Sequence, residues 1–147
     1  MPILNYTTKV APEKTASDIT ALLARKGART VSMRYSPKGQ VDGISFSLMV
    51  GKIEVTFALP ANVEGVAEYM RAETRSLTRE RTASIAAQAP RTAWRVLKDW
   101  VEVQIALVDS RQAEMGQVFM PYAITPGGET MYQRFLTSTQ KMLGTGE

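Results

Sequence analysis

Three consecutive stretches decide the fold: Thr30-Val31-Ser32-Met33-Arg34-Tyr35, Ile44-Ser45-Phe46-Ser47-Leu48-Met49-Val50 and Lys52-Ile53-Glu54-Val55-Thr56-Phe57-Ala58-Leu59. Each alternates apolar with polar residues, and a period of two places all the apolar side chains on one face of a strand. Pro37-Lys38-Gly39 supplies a turn between the first and second stretches, and Gly51 a tighter one between the second and third. The pattern predicts an antiparallel three-stranded meander. One face is apolar, and the other carries Ser, Thr, Lys and Arg.

Working outward, the period changes to that of a helix. Pro12 opens a helix reaching Lys26, with Ala16, Ile19, Leu22 and Leu23 on one stripe and Gly27 beyond its end. After Pro60, Asn62 reads as the N-cap of a helix to about Ala72, with Val63, Val66 and Met70 inward and Tyr69 beside them. Pro90 suits the start of a helix from Arg91 to Val108. Its residues Trp94, Leu97, Trp100, Val101 and Ile105 belong to an apolar surface covering most of the circumference. Such a helix is central, and it is expected across the apolar sheet face against Phe46, Val55 and Phe57. Gly116 is expected to end a short continuation. Pro126-Gly127-Gly128 breaks the chain before a last helix from Glu129 to Leu143. Met131, Tyr132, Phe135, Leu136, Met142 and Leu143 form one side of that helix, Gly144 closes it, and Trp100 is expected to face it. The fold class is α+β, one domain over residues 1–147.

At 147 residues and 44% hydrophobic content the chain can bury a substantial core. It has no cysteine and no histidine. Disulfides, thiolate chemistry, the usual general base and the usual transition-metal ligands are therefore out of reach. No phosphate-binding glycine loop, dinucleotide fingerprint or nucleophile elbow occurs. These exclusions point away from an enzyme, from a cofactor and from a metal centre. No apolar run approaches the roughly 20 residues of a membrane span, and the opening residues do not resemble a secretory signal. The expected location is the cytoplasm.

The net charge is +4, and one segment carries all of it. Residues 71–95 hold Arg71, Arg75, Arg79, Arg81, Arg91 and Arg95 against only Glu73 and Glu80. Concentrated arginine suggests a polyanionic partner more strongly than an evenly basic surface does, although a solvated linker would also carry such charge. Residues 73–89 are arginine-rich and then alanine-rich, and they are expected to form a partly helical, mobile connector. Arg71, Arg75 and Arg79 are spaced by four, and Arg91, Arg95 and Lys98 form a second cationic stripe. Two such stripes could clamp a nucleic-acid backbone.

Other constellations have plainer readings. Asp99 and Glu102 could touch a cation, but Arg95 and Lys98 precede them at ion-pair spacing, and two carboxylates are too few for a Mg²⁺ or Ca²⁺ site. The polar sheet face could meet phosphates, yet it lacks the aromatic residues of a base-stacking sheet. Phe119-Met120-Pro121-Tyr122 would be a contact patch if exposed.

The stretch from Thr92 to Leu107, the segment Val118-Phe119-Met120-Pro121-Tyr122 and the opening Ile3-Leu4-Asn5-Tyr6-Thr7-Thr8-Lys9-Val10 resemble a group of uncharacterised small proteins encoded in bacteriophage and prophage genomes. The resemblance covers most of the chain and implies a phage context, so the compartment would be the host cytoplasm. A meander followed by a long helix is also similar in element order to the core of single-strand annealing proteins. The sequence is therefore read as a non-enzymatic module binding nucleic acid, single-stranded rather than duplex, through the six arginines. The alternatives are an inhibitor or modulator of a host protein, such as a defence factor, and a structural component that forms a homo-oligomer.

Overall fold

The turn signals become a sheet in order β1-β2-β3 in the computed structural model, which describes residues 2–139. Helix α1 (Pro12–Arg25) precedes strands β1 (Thr30–Tyr35), β2 (Val41–Val50) and β3 (Ile53–Pro60). Both pairings are antiparallel. Val50 faces Ile53, so Gly51 and Lys52 alone make the second turn, and Gly51 takes a positive φ of 62° that costs glycine nothing. The register sets Val31 beside Phe46 and Phe46 beside Phe57, which aligns the apolar residues into one face. Strand β2 begins earlier than its alternation suggests. A register shift opposite Arg34 and Tyr35 lets Val41 join the sheet and bury its side chain.

Ile44, Phe46, Leu48, Phe57 and Leu59 on the sheet pack with Ala16, Ile19 and Leu23 of α1. Helix α3 (Arg79–Asp109) adds Trp94, Val101 and Ile105 to the same core, and Trp94 Nε1 donates to the Val41 carbonyl at 3.3 Å. Leu97 is only partly buried, at the margin of this core. The fold is thus α+β with a long central helix on the apolar face of the meander. Among the described residues no helix is long and apolar enough to cross a membrane.

Helix α2 (Val63–Ala72) follows its sequence signals, with the Asn62 side chain accepting from the Gly65 amide at 2.9 Å. The start of α3 does not. Pro90 lies inside this 31-residue helix instead of opening it, and residues 79–89 form its first turns. An interior proline costs about 3 kcal/mol by removing an amide donor and crowding the preceding turn. Tertiary burial offsets that cost. Ile85 and Ala89 pack with Ala67 and Met70 of α2 in a second cluster, while Trp94 and the residues after it join the main core. Pro90 stands at the boundary between the two. The connector shrinks to residues 73–78.

The helix begins at Thr78, whose hydroxyl accepts from the Arg81 amide at 3.0 Å. Thr78→Ala should lower stability by about 1 kcal/mol, as loss of an N-cap does, while Thr78→Ser should leave a urea melt nearly unchanged. An alanine variant equal to wild type would place the start of the helix elsewhere, at Pro90.

The C-terminal part departs further from its sequence reading. Gly116 lies within helix α4 (Met115–Phe119), where an added Cβ would stand 3.1 Å from both Val50 methyl groups. It permits close packing on the sheet and does not end a helix. Phe119 is fully buried, so the apolar run 119–122 is core at its first residue and is not a surface patch. Trp100 meets Phe119 and Tyr122 edge-on, at 5.6 and 5.5 Å between centroids, where the last helix was expected. That last helix starts at Thr130 with a capping box, and α5 (Met131–Arg134) passes into a π-helical turn at Phe135–Thr139. Met131, Tyr132 and Leu136, expected on one side of that helix, are exposed. Met142, Leu143 and Gly144 lie outside the described residues.

Candidate nucleic-acid interface

The six arginines divide by environment. Arg71 ends α2 and is held by Glu64 at 2.6 Å. Arg75 lies in the 73–78 segment, Arg79 is the first residue of α3, and both are exposed. Arg81 is exposed within the first turn of the helix, and its Nε donates to Thr74 Oγ1 at 3.4 Å. Arg91 and Arg95 are half-buried further along α3. Arg79 and Arg91 are about 18 Å apart along the helix axis at 1.5 Å per residue. Arg75, Arg79 and Arg81 therefore gather around the start of α3, and Arg91 with Arg95 makes a separate stripe.

The placement of the first group runs against helix electrostatics. The amide ends of a helix carry partial positive charge, and cations there are disfavoured by about 0.3–1 kcal/mol each. Arg79 and Arg81 occupy the first turn of α3 with Glu80 between them. Helix stability does not account for two guanidinium groups at this end. An anion placed there would meet both the guanidinium groups and the free amides.

Beside these arginines is a cleft of about 500 Å³ that no sequence signal marks. The N-terminal segment forms one wall. Asn5, in a left-handed conformation with φ of 64°, donates through Nδ2 to Asp99 at 2.7 Å. The Asn5 carbonyl accepts from the Thr92 hydroxyl, and the Thr8 carbonyl accepts from Gln88 Nε2 at 2.8 Å. These bonds strap residues 5–8 along α3. Met70 and Ile85 form the apolar lining of the cleft, and Tyr6, Tyr69, Glu73 and Arg81 line it as well. Tyr6 is 51% and Tyr69 41% exposed. Desolvation, together with the adjacent Glu73 carboxylate that accepts its hydroxyl, raises the Tyr69 phenol above its ordinary value.

The other candidates are occupied. Asp99 is taken by Asn5 instead of Arg95, while Lys98 pairs with Glu102 at 3.7 Å and reaches Asp18 of α1 at 3.6 Å. Among the described residues no group of three or more potential metal ligands converges. On the polar sheet face Ser47 is buried in a chain from Thr30 to Glu54, with both links at 2.8 Å. The Glu54 carboxylate there works against an anion.

Comparison with known proteins finds no matching family model, no curated relative and no similar solved structure.

The segment leading to α3 offers a further check. Arg75, Ser76 and Leu77 are exposed and outside any helix or strand, with Leu77 53% exposed. Segments with few buried contacts open at the least cost. Limited trypsin digestion should therefore cut first at Arg75, with Arg91 and Arg95 protected. First cleavage at Arg34 or Lys52 would make the meander the weaker part.

Proposed function

We propose that the chain is a non-enzymatic module that binds single-stranded nucleic acid through arginine–phosphate contacts. The observation that carries this reading is the grouping of Arg75, Arg79 and Arg81 around the amide end of α3. Guanidinium groups form paired hydrogen bonds to phosphate oxygens, and exposed amides at a helix start add to them. The second stripe, Arg91 and Arg95, extends the positive track along the same helix. A preference for single strands follows from the neighbouring cleft, since stacking on tyrosine requires an unpaired base. A phage setting, as the sequence resemblance implies, suits such a module. The test is titration of a labelled unstructured oligonucleotide at low salt. Binding that weakens as salt rises is expected, and no binding to any oligonucleotide would refute the proposal.

A second reading is favoured by a different surface. Met131, Tyr132 and Leu136 are exposed on one short helical segment. Exposed apolar clusters mark protein contacts, as a modulator of a host protein would need. Its signature is a complex that survives nuclease and moderate salt.

A further inference from the structure

We propose that strand β1 pairs with β1 of a second copy of this chain, antiparallel about a two-fold axis at Met33, so that two three-stranded meanders join into one continuous sheet. The inference is independent of the nucleic-acid reading. A sheet edge leaves amides and carbonyls pointing outward, and such a row is a template for another strand. The two edges of this sheet differ. Along β3 the chain returns: Ala123 bridges to Phe57, and the Ile124 amide donates to the Thr56 carbonyl at 2.8 Å. Along β1, among the described residues, no backbone hydrogen bond from another segment reaches the outer edge. The usual protections are missing there as well. Thr30–Tyr35 contains no proline, glycine or lysine, and the register shift falls at its end, between Arg34 and Tyr35. One open edge beside one covered edge favours a closed pair over a growing array.

The occupant follows from the alternation along β1. Val31, Met33 and Tyr35 share the apolar side, while Thr30, Ser32 and Arg34 share the polar side. Antiparallel strands keep their faces matched when the two-fold axis passes through a residue. With the axis at Met33, Val31 faces the partner's Tyr35, and Ser32 faces the partner's Arg34. Tyr35 selects this register. It is 60% exposed although it stands on the apolar side, and its hydroxyl donates to Met33 Sδ at 3.6 Å, which draws the ring along the strand. Val31 and Met33 of the second copy would cover that ring. An axis at Ser32 would instead set Tyr35 opposite Arg29, outside the strand. Arg34 is the one charged residue of β1, and an axis there would set two guanidinium groups face to face. With the axis at Met33 each meets a serine.

Sedimentation equilibrium of the nuclease-treated full chain should show a monomer–dimer equilibrium. Ser32 is exposed, so its replacement leaves the core alone. Ser32→Asp sets a carboxylate against the partner's Arg34 twice in each pair and should tighten the dimer. Ser32→Arg sets like charges there and should loosen it. Two cross-strand charge pairs correspond to a change of about 2- to 30-fold in either direction. The chain has no cysteine of its own, so a single introduced thiol reports the register. Met33→Cys should form a disulfide between copies under mild oxidation, because residues on the axis stand at disulfide distance. Ser32→Cys, with its copies two residues out of register, should not. Circular dichroism controls for folding, and the Ser32 variants decide the matter if Met33→Cys does not fold. A chain that is monomeric at every concentration would overturn the pairing and leave the edge to a strand of another protein. A dimer that neither charged Ser32 variant moves would overturn the β1 interface. A disulfide through Ser32→Cys and not through Met33→Cys would overturn the register.

Discussion

Phe119→Ala should destabilise the fold by about 3–5 kcal/mol, the cost of emptying a fully buried phenylalanine site. The side chain has no exposed surface. Its ring lies 5.2 Å from Phe46 and 6.4 Å from Phe57 on the sheet, and 5.6 Å from Trp100 of α3. It joins the meander, the central helix and the C-terminal segment at one point. Edge-to-face aromatic pairs add about 0.5–1.5 kcal/mol each beyond area burial, which places the loss toward the upper end of the range. A small domain has only about 5–15 kcal/mol in total, so the variant should melt far below wild type or fail to accumulate. Phe119→Leu keeps most of the volume and should cost less than about half as much. Urea denaturation of the two variants measures both. A loss under about 1 kcal/mol for alanine would show that residues 119–122 form a surface patch after all.

Neutralising the arginines at the start of α3 should have the second large effect, on binding and not on folding. Arg75, Arg79 and Arg81 are exposed, and exposed charges contribute about 0–1 kcal/mol to stability. Arg79 and Arg81 also oppose the helix dipole, so glutamine in their place should leave the melting temperature unchanged or slightly raised. Affinity for a single strand should fall, because each lost guanidinium removes a counterion-releasing contact. Arg71 behaves differently. Its partner Glu64 already neutralises it, and Arg71→Gln should alter strand binding least of the six.

The meander was legible because two independent signals agreed: alternation set the faces, and Gly51 set the hairpin. Helix α2 was legible for a similar reason, since Asn62 and the apolar spacing marked the same boundary. The true start of α3 was hidden because Pro90 is a strong local signal for a helix start. What overrides it is burial of Ile85 and Ala89 against α2, which no window of sequence contains. The role of Gly116 was obscured likewise, because its neighbour Val50 comes from a distant strand. The last helix has an apolar stripe in sequence, yet Met131, Tyr132 and Leu136 find no covering surface among the described residues.

The site was legible in its charge and not in its shape. Arginine enrichment over residues 71–95 is a count along the chain, so the sequence carries it directly. Which arginines remain open depends on Glu64 beside Arg71 and Thr74 beside Arg81, and these are products of folding. The cleft needs Tyr6 from one end of the chain and Tyr69 from the middle. Asn5 and Thr8 bring them to the same place by binding α3. A lone tyrosine in an N-terminal segment gives no sign of such a partner.

The most direct measurement is the salt dependence of single-strand affinity in wild type and in the variant with Arg75, Arg79 and Arg81 all changed to glutamine. With about four phosphate contacts, log K against log salt should fall with a slope near −3, at about −0.7 per contact. The triple variant should bind with a slope near −1 and melt within about 2 °C of wild type. Parallel slopes in the two proteins, or no binding by wild type at low salt, would contradict the assignment of these arginines to a phosphate backbone.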